Sequence, residues 1–311
     1  MKHLSKKFIV LSVICIAGIL IFFGYYRATS NIKRIFSDFS KKTFNAEFNI
    51  RHIHIRFPLC LSLEDVRMGD TVEIRSIVIY PNFTTSLLNK KNIAININVS
   101  EPVIRYKKGD HQEASIAEFI ENKRKLFFDD LNLLSFYFSS INIDKGTFLY
   151  DDDSKDYLKV TDVEGAFRRP RFYFAKRGDF SFALKGFLEN KDDSSLSPIK
   201  IRGTLSSINS IEAKLVIEDI RLNTFSSYTK YLSNALKEGS LDFKSDINVI
   251  GSDVVANCVL EAKDFVLKKG VAWDAKPPFV ATFVVLGSLK DRFLKIRGLQ
   301  GNLISVLSGS S

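Results

Sequence analysis

Residues 92–99 read NIAININV, and that stretch decides the fold. Ile93, Ile95, Ile97 and Val99 take every second position, with Asn92, Ala94, Asn96 and Asn98 between them. Successive side chains of an extended chain point to opposite faces. The spacing therefore predicts a strand with one apolar side and one wet side.

The same alternation recurs outward from it. FSFAL (180–184) puts Phe180, Phe182 and Leu184 together, and IKIRGTL (199–205) aligns Ile199, Ile201 and Leu205. IEAKLVI (211–217) aligns Ile211, Ala213, Leu215 and Ile217. LDFKSDINV (241–249) aligns Leu241, Phe243, Ile247 and Val249, and VVANCVLEA (254–262) aligns Val254, Ala256, Cys258, Leu260 and Ala262. Turn-forming residues separate these runs at Met68-Gly69-Asp70, Lys108-Gly109-Asp110, Asp151 to Ser154, Arg177-Gly178-Asp179, Asn190 to Pro198 and Gly251-Ser252-Asp253. Many one-sided strands joined by short turns predict a mainly β body with few helices, built as an antiparallel meander. No Gly/Ser-rich linker divides residues 45–311, so they read as one unit. Helical spacing is confined to 81–88, to 114–128 (Ile116, Phe119, Ile120, Leu126) and to 222–236, where Gly239 stands as a stop signal.

The amino terminus obeys a different rule. Phe8 to Gly24 is an uncharged apolar run between Lys2, Lys6 and Lys7 on one side and Tyr25, Tyr26 and Arg27 on the other. Its length suits a hydrocarbon core of about 30 Å, and the flanking aromatic and basic residues suit an interface. A cleavable signal peptide has a shorter core and a small-x-small site. The expected organisation is a cytoplasmic tail (1–7), a transmembrane helix (8–26), a membrane-proximal amphipathic segment (27–44) and a long body (45–311). In the amphipathic segment, Ile32, Ile35, Phe36 and Phe39 fall at helical spacing. Lys33, Arg34, Lys41 and Lys42 take the other faces, as candidates for contact with anionic headgroups. A stalk helix packed on the body fits the same pattern.

The formal net charge of the 311 residues is +10, yet the excess clusters around the anchor. That reads as membrane-flanking charge rather than a nucleic-acid surface. Basic residues flank both ends of the span, so charge alone does not set its orientation. Cys15, Cys60 and Cys258 are too few for a disulfide framework, and Cys60 and Cys258 are expected to stay unpaired.

Catalytic constellations are missing from the sequence. It has no Gly-rich phosphate loop, no G-x-S-x-G, no H-E-x-x-H and no C-x-x-C pair. His52 and His54 share a strand face, with Cys60 at the same parity, but both alternate against Ile53 and Ile55 and so fall on the wet side. Asp151, Asp152 and Asp153 read as a hairpin turn before a calcium site. Arg168, Arg169 and Arg171 around Pro170 read as a solvated turn before a phosphate contact. The expectation is a protein that is not an enzyme, with no cofactor and no metal.

Several stretches in order resemble the AsmA-like family of membrane-anchored periplasmic proteins. LSLEDVRMGD (61–70) is similar to its L-x-L-x-D-V strand. IRSIVIYPNFTTSLLNKKNIAININVSEPVIRYKKGD (74–110) resembles its strand, short SLL helix, strand and P-x-I run. INIDKGTFLYDDDSKDYLKVTDVEG (141–165) resembles its G-x-L-x-Y-x-D hairpin, and LKEGSLDFKSDINVIG (236–251) its late helix-Gly-strand unit. The resemblance implies a single-pass inner-membrane anchor with a cytoplasmic amino terminus and a periplasmic body. It implies an elongated, curved antiparallel sheet forming an open hydrophobic groove, and a part in phospholipid movement and outer-membrane homeostasis.

The expected groove floor is Ile93, Ile95, Ile97, Val99, Phe180, Phe182, Leu184, Ile199, Ile201, Leu215, Ile217, Phe243, Ile247, Val254 and Leu260. Roughly 15 strands would give a groove of about 70 Å. The expected partners are phospholipid acyl chains, the inner membrane and other envelope proteins, with no nucleic acid. The alternative is a structural scaffold or assembly factor for envelope proteins that carries no lipid.

Overall fold

The computed structural model describes residues 30, 34, 48–56, 60–88, 93–107, 136–151, 157–169, 180–189, 195–206, 210–221, 236–267, 279–288 and 293–301. The expected anchor (8–26), the helix at 114–128, the turns at 108–110 and 177–179, and Lys33, Lys41 and Lys42 lie outside them; Arg34 is exposed. Among the described residues no helix is long and apolar enough to cross a membrane.

The strands are β1 (Phe48–Arg56), β2 (Cys60–Met68), β3 (Val72–Pro81), β4 (Ile93–Lys107), β5 (Phe136–Asp151), β6 (Tyr157–Arg168) and β7 (Phe180–Glu189). They continue as β8 (Leu196–Leu205), β9 (Ser210–Arg221), β10 (Leu236–Ile250), β11 (Asp253–Leu267), β12 (Phe279–Ser288) and β13 (Phe293–Gln300). All thirteen form one open, curved sheet in strict chain order, with β1 and β13 at its edges.

One pair corrects the expected meander. β4 and β5 run parallel, while every other neighbouring pair is antiparallel. A parallel pair needs a crossover of a dozen or more residues, and residues 108–135 supply that length. Amide and hydroxyl side chains fasten the seam. The Asn142 amide donates to Asn98 Oδ1 at 2.8 Å, and the Ser140 hydroxyl donates to Asn96 Oδ1 at 2.9 Å.

The helix α1 (Phe83–Leu88) falls within the expected 81–88. Asn82 caps it, accepting from the Thr85 N–H on Oδ1 at 3.1 Å. The Ser86 hydroxyl accepts from the Ala94 N–H at 2.9 Å and ties the helix to the start of β4. Two boundaries differ from expectation. Leu196, Ser197 and Pro198 belong to β8, not to the preceding turn, and Leu236 belongs to β10, while residues 222–235 of the expected helix lie outside the described residues. Gly239, at φ 150°, lies between two register shifts of β10. It lies within the strand, where the shifts loosen the pairing. Gly69 and Gly251 do make the expected turns, at φ 54° and 61°.

Strict alternation also breaks at a set of residues that share one backbone state. Asp65, Glu101, Lys145, Asp162 and Asp219 have φ between 49° and 56°. Each is third in a tetrapeptide whose first and fourth residues are non-polar: Leu63-Glu-Asp-Val66, Val99-Ser-Glu-Pro102, Ile143-Asp-Lys-Gly146, Val160-Thr-Asp-Val163 and Ile217-Glu-Asp-Ile220. A left-handed residue turns the chain over, so positions three apart return to the same face. Leu63 and Val66 are accordingly both buried, at 0% and 1% exposure.

From β1 through β5 the extra residue is matched on each neighbour, because the pairings on either side keep one register. The result is a crease running across those strands. It accommodates Pro102, which could not donate to an unbroken ladder. Past β6 the extra residue has no counterpart on β7 and the register shifts. β7 and β8 pair without interruption from Phe180↔Leu205 to Glu189↔Leu196. Asp65 and Glu101 are clasped from the adjacent strands, with Arg51 3.5 Å from Asp65 and Arg75 2.5 Å from Glu101. Beside the crease, Ile50, Ile53, Leu63 and Val66 pack as a core cluster with Leu61, Ile74 and Ile77.

Candidate functional site

Residues directly opposite one another in paired strands share a face, so the register can be followed across the whole sheet. One row runs Ile55, Leu61, Ile79, Ile97, Ile141, Phe167, Phe182, Gly203, Ala213, Ile247, Ala256, Val285, Ile296. It crosses all thirteen strands without a polar side chain. At about 4.8 Å per strand it is about 58 Å long, shorter than the 70 Å expected from roughly 15 strands. The next row runs Ile53, Leu63, Ile77, Val99, Ile143, Gly165, Leu184, Ile201, Leu215, Ser245, Cys258, Phe283.

The fifteen floor residues named from the sequence all fall on this face. Ile93 and Ile95 sit opposite Phe136 and Phe138, and Phe180 opposite Leu205. Ile199, Ile217, Phe243 and Leu260 form one continuous line, and Val254 faces Val249 and Gly287. Phe180 is buried, while the others whose side chains are described are half-buried. Among the described residues no second sheet covers them, since all the strands lie in the one layer. Phe167 and Phe182 stack at 5.5 Å, and Phe182 lies so close to Gly203 that a Cβ there would meet its ring at 2.8 Å.

The opposite face carries the charged side chains, joined toward the end of the sheet by apolar ones such as Val255, Val284 and Leu286. Cross-strand pairs include Lys159–Glu189 at 2.6 Å, Lys185–Glu164 at 3.0 Å, Lys200–Glu218 at 3.1 Å and Lys214–Asp246 at 3.3 Å. Such exposed pairs contribute about 0–1 kcal/mol each, so they mark which side meets water more than they hold the fold. Asp242 is different, at 5% exposure. Burial alone would raise its pKa, but the Asp219 N–H donating at 3.0 Å and the ammonium of Lys263 outweigh that and hold it below 3.8. Asp242 and the Ser197 hydroxyl, which donates to the Asp219 carbonyl at 2.9 Å, fix the left-handed Asp219 from both sides.

Two open hollows of about 610 Å³ each lie mostly among polar-face residues, one around Ala166, Ser181 and Ala183, the other around Thr204, Lys214 and Asn257. Salt-bridged charges of both signs rim them, so neither presents a chemically distinct surface. His52 and His54 stack at 6.2 Å on the polar side, with His54 Nε2 3.6 Å from Glu64. Among the described residues no group of three His, Cys, Asp or Glu side chains is placed to hold a metal. Cys60 and Cys258 are free thiols; Cys258 is buried on the apolar face, 3.4 Å from Ser245 Oγ.

No protein-family model and no curated protein matches this chain. The strand-only reading missed the crease. Its signal is the apolar-x-Asp-apolar tetrapeptide, visible in LEDV, TDV and EDI once an apolar spacing of three is accepted inside a strand.

Proposed function

We propose that the protein is an inner-membrane-anchored periplasmic protein of the AsmA-like type that holds phospholipid acyl chains against its apolar face. The observation that carries this reading is the apolar row spanning thirteen strands, with no second layer of sheet over it among the described residues. A sealed core would exclude a ligand, and a solvated apolar face of this extent would be a standing cost, since exposed apolar patches on soluble proteins rarely exceed a few hundred Å². An acyl chain spans about half of a 30 Å hydrocarbon core, or about three strand spacings. Each buried methylene contributes about 0.8 kcal/mol without any directional contact. The site then needs no catalytic group, and the polar face with its ion pairs is the side left to water.

A photoreactive residue at position 95 in the full-length protein in cells is expected to capture lipid, and one at position 96 is not. Ile95→Asp is expected to abolish capture at neighbouring floor positions such as 97. Asn96→Asp keeps the acceptor used by Ser140 and is expected to change nothing. Capture at 96 but not at 95 would invert the assignment of the faces. Capture at neither, with both proteins folded, would transfer the function to the scaffold alternative. An Asp152→Cys thiol is expected to react with an impermeant dye once the outer membrane alone is opened.

A further inference from the structure

The edge strand β13 combines three properties. Nothing pairs with its outer side among the described residues. Its apolar residues stand in solvent, with Phe293, Ile296 and Leu299 at 50%, 62% and 55% exposure. From β1 to β11 the polar face is laced with cross-strand ion pairs. Lys295 and Arg297 lie opposite Leu286 and Val284 and have no acidic partner among the described residues.

We infer that the outer edge of β13 receives an extended strand of another protein in which acidic and apolar residues alternate. Such a strand would complete the open ladder, set its carboxylates against Lys295 and Arg297 on the polar face, and continue the apolar row beyond Ile296 on the other. Charge decides against the other occupants. A second copy docking by β1 would bring Arg51, His52, His54 and Arg56, with no acidic residue on that strand. A second copy docking by β13 would set Lys295 and Arg297 against themselves. Residues 302–311 of the chain itself contain no Asp or Glu. Like charges directly opposed destabilise a strand pair and opposite charges stabilise it. The inference does not depend on whether the apolar face carries lipid.

The test uses the full-length protein in detergent with a photoreactive residue at position 299. The probes are synthetic peptides alternating valine with glutamate, valine with lysine, and valine with glutamate interrupted by proline. The glutamate peptide is expected to crosslink, with the lysine peptide about tenfold weaker and the proline peptide lost. Lys295→Glu with Arg297→Glu, both exposed, is expected to reverse the preference between the first two. Equal binding of the glutamate and lysine peptides, or of the glutamate and proline peptides, would overturn the inference. So would an intrachain crosslink to residues 302–311, a crosslinked homodimer, or displacement of the glutamate peptide by anionic phospholipid vesicles but not by neutral ones.

Discussion

The creased strands β1 to β6 and the uninterrupted pair β7 and β8 solve one problem in two ways. Both keep apolar side chains on one face. In β7 and β8 plain alternation suffices, and every pairing from Phe180↔Leu205 to Glu189↔Leu196 keeps step. Across the crease each strand spends one extra residue, yet Leu63 and Val66 still bury on one side. The regular pair has no slack, because the chain is extended throughout. The creased part has slack at defined points, where a charged residue in the left-handed region faces water and a non-polar residue follows. A long strand that would otherwise stay flat is thereby bent without losing its neighbours, as an isolated bulge bends one strand of a pair.

The largest expected effect tests whether the crease exists for packing. Leu63→Ala removes a side chain that is fully enclosed beside it, and is expected to cost about 3 kcal/mol in denaturant unfolding. A cost below about 1 kcal/mol would mean the cluster around Leu63 can collapse into the gap.

Glycine substitutions contrast the two regions directly. A Cβ at Gly203, in the regular pair, would meet the Glu212 carbonyl oxygen of the next strand, whereas one at Gly146, in the crease, would meet only side-chain carbons at 3.3 Å. Gly203→Ala is expected to lower stability by about 2 kcal/mol and Gly146→Ala by clearly less. Equal losses would remove the claim that slack is confined to the crease.

A third outcome concerns the buried carboxylate beside Asp219. Because Asp242 titrates lower in the folded chain than its ordinary 3.8, its contribution is fully present above that value and fades as pH falls through the lowered one. Asp242→Asn is expected to cost about 1.5 kcal/mol at neutral pH, in the range for a hydrogen bond to a charged group. The variant and parent unfolding curves are expected to converge in acid. Parallel curves from neutral pH into acid would mean that Asp242 acts through shape alone.

The smallest effect compares the same residue type introduced in the two regions. Asp65→Val forces a β-branched side chain to φ 52° and is expected to cost about 1–2 kcal/mol. Thr204→Val, on the exposed side of β8, is expected to stay within about 0.5 kcal/mol. If the two are equal, Asp65 does not need its left-handed conformation.

The sequence by itself determined the class of fold and the sidedness of nearly every strand. A period of two has only one structural meaning over runs such as NIAININV and FSFAL, which is why the floor residues named from alternation alone fall on one face. It also determined the short helix at 83–88, because Asn82 is a local cap that needs no distant partner. Only the tertiary structure decided three things. The parallel direction of β4 and β5 depends on how the chain crosses back over residues 108–135, which no local pattern encodes; the Asn98–Asn142 contact that fastens it joins residues far apart in sequence. The crease depends on neighbouring strands sharing an extra residue, so one strand read alone looks only irregular. The edge at β13 depends on where the ladder of described strands ends, and that Lys295 and Arg297 lie opposite Leu286 and Val284 is visible only once the strands are in register.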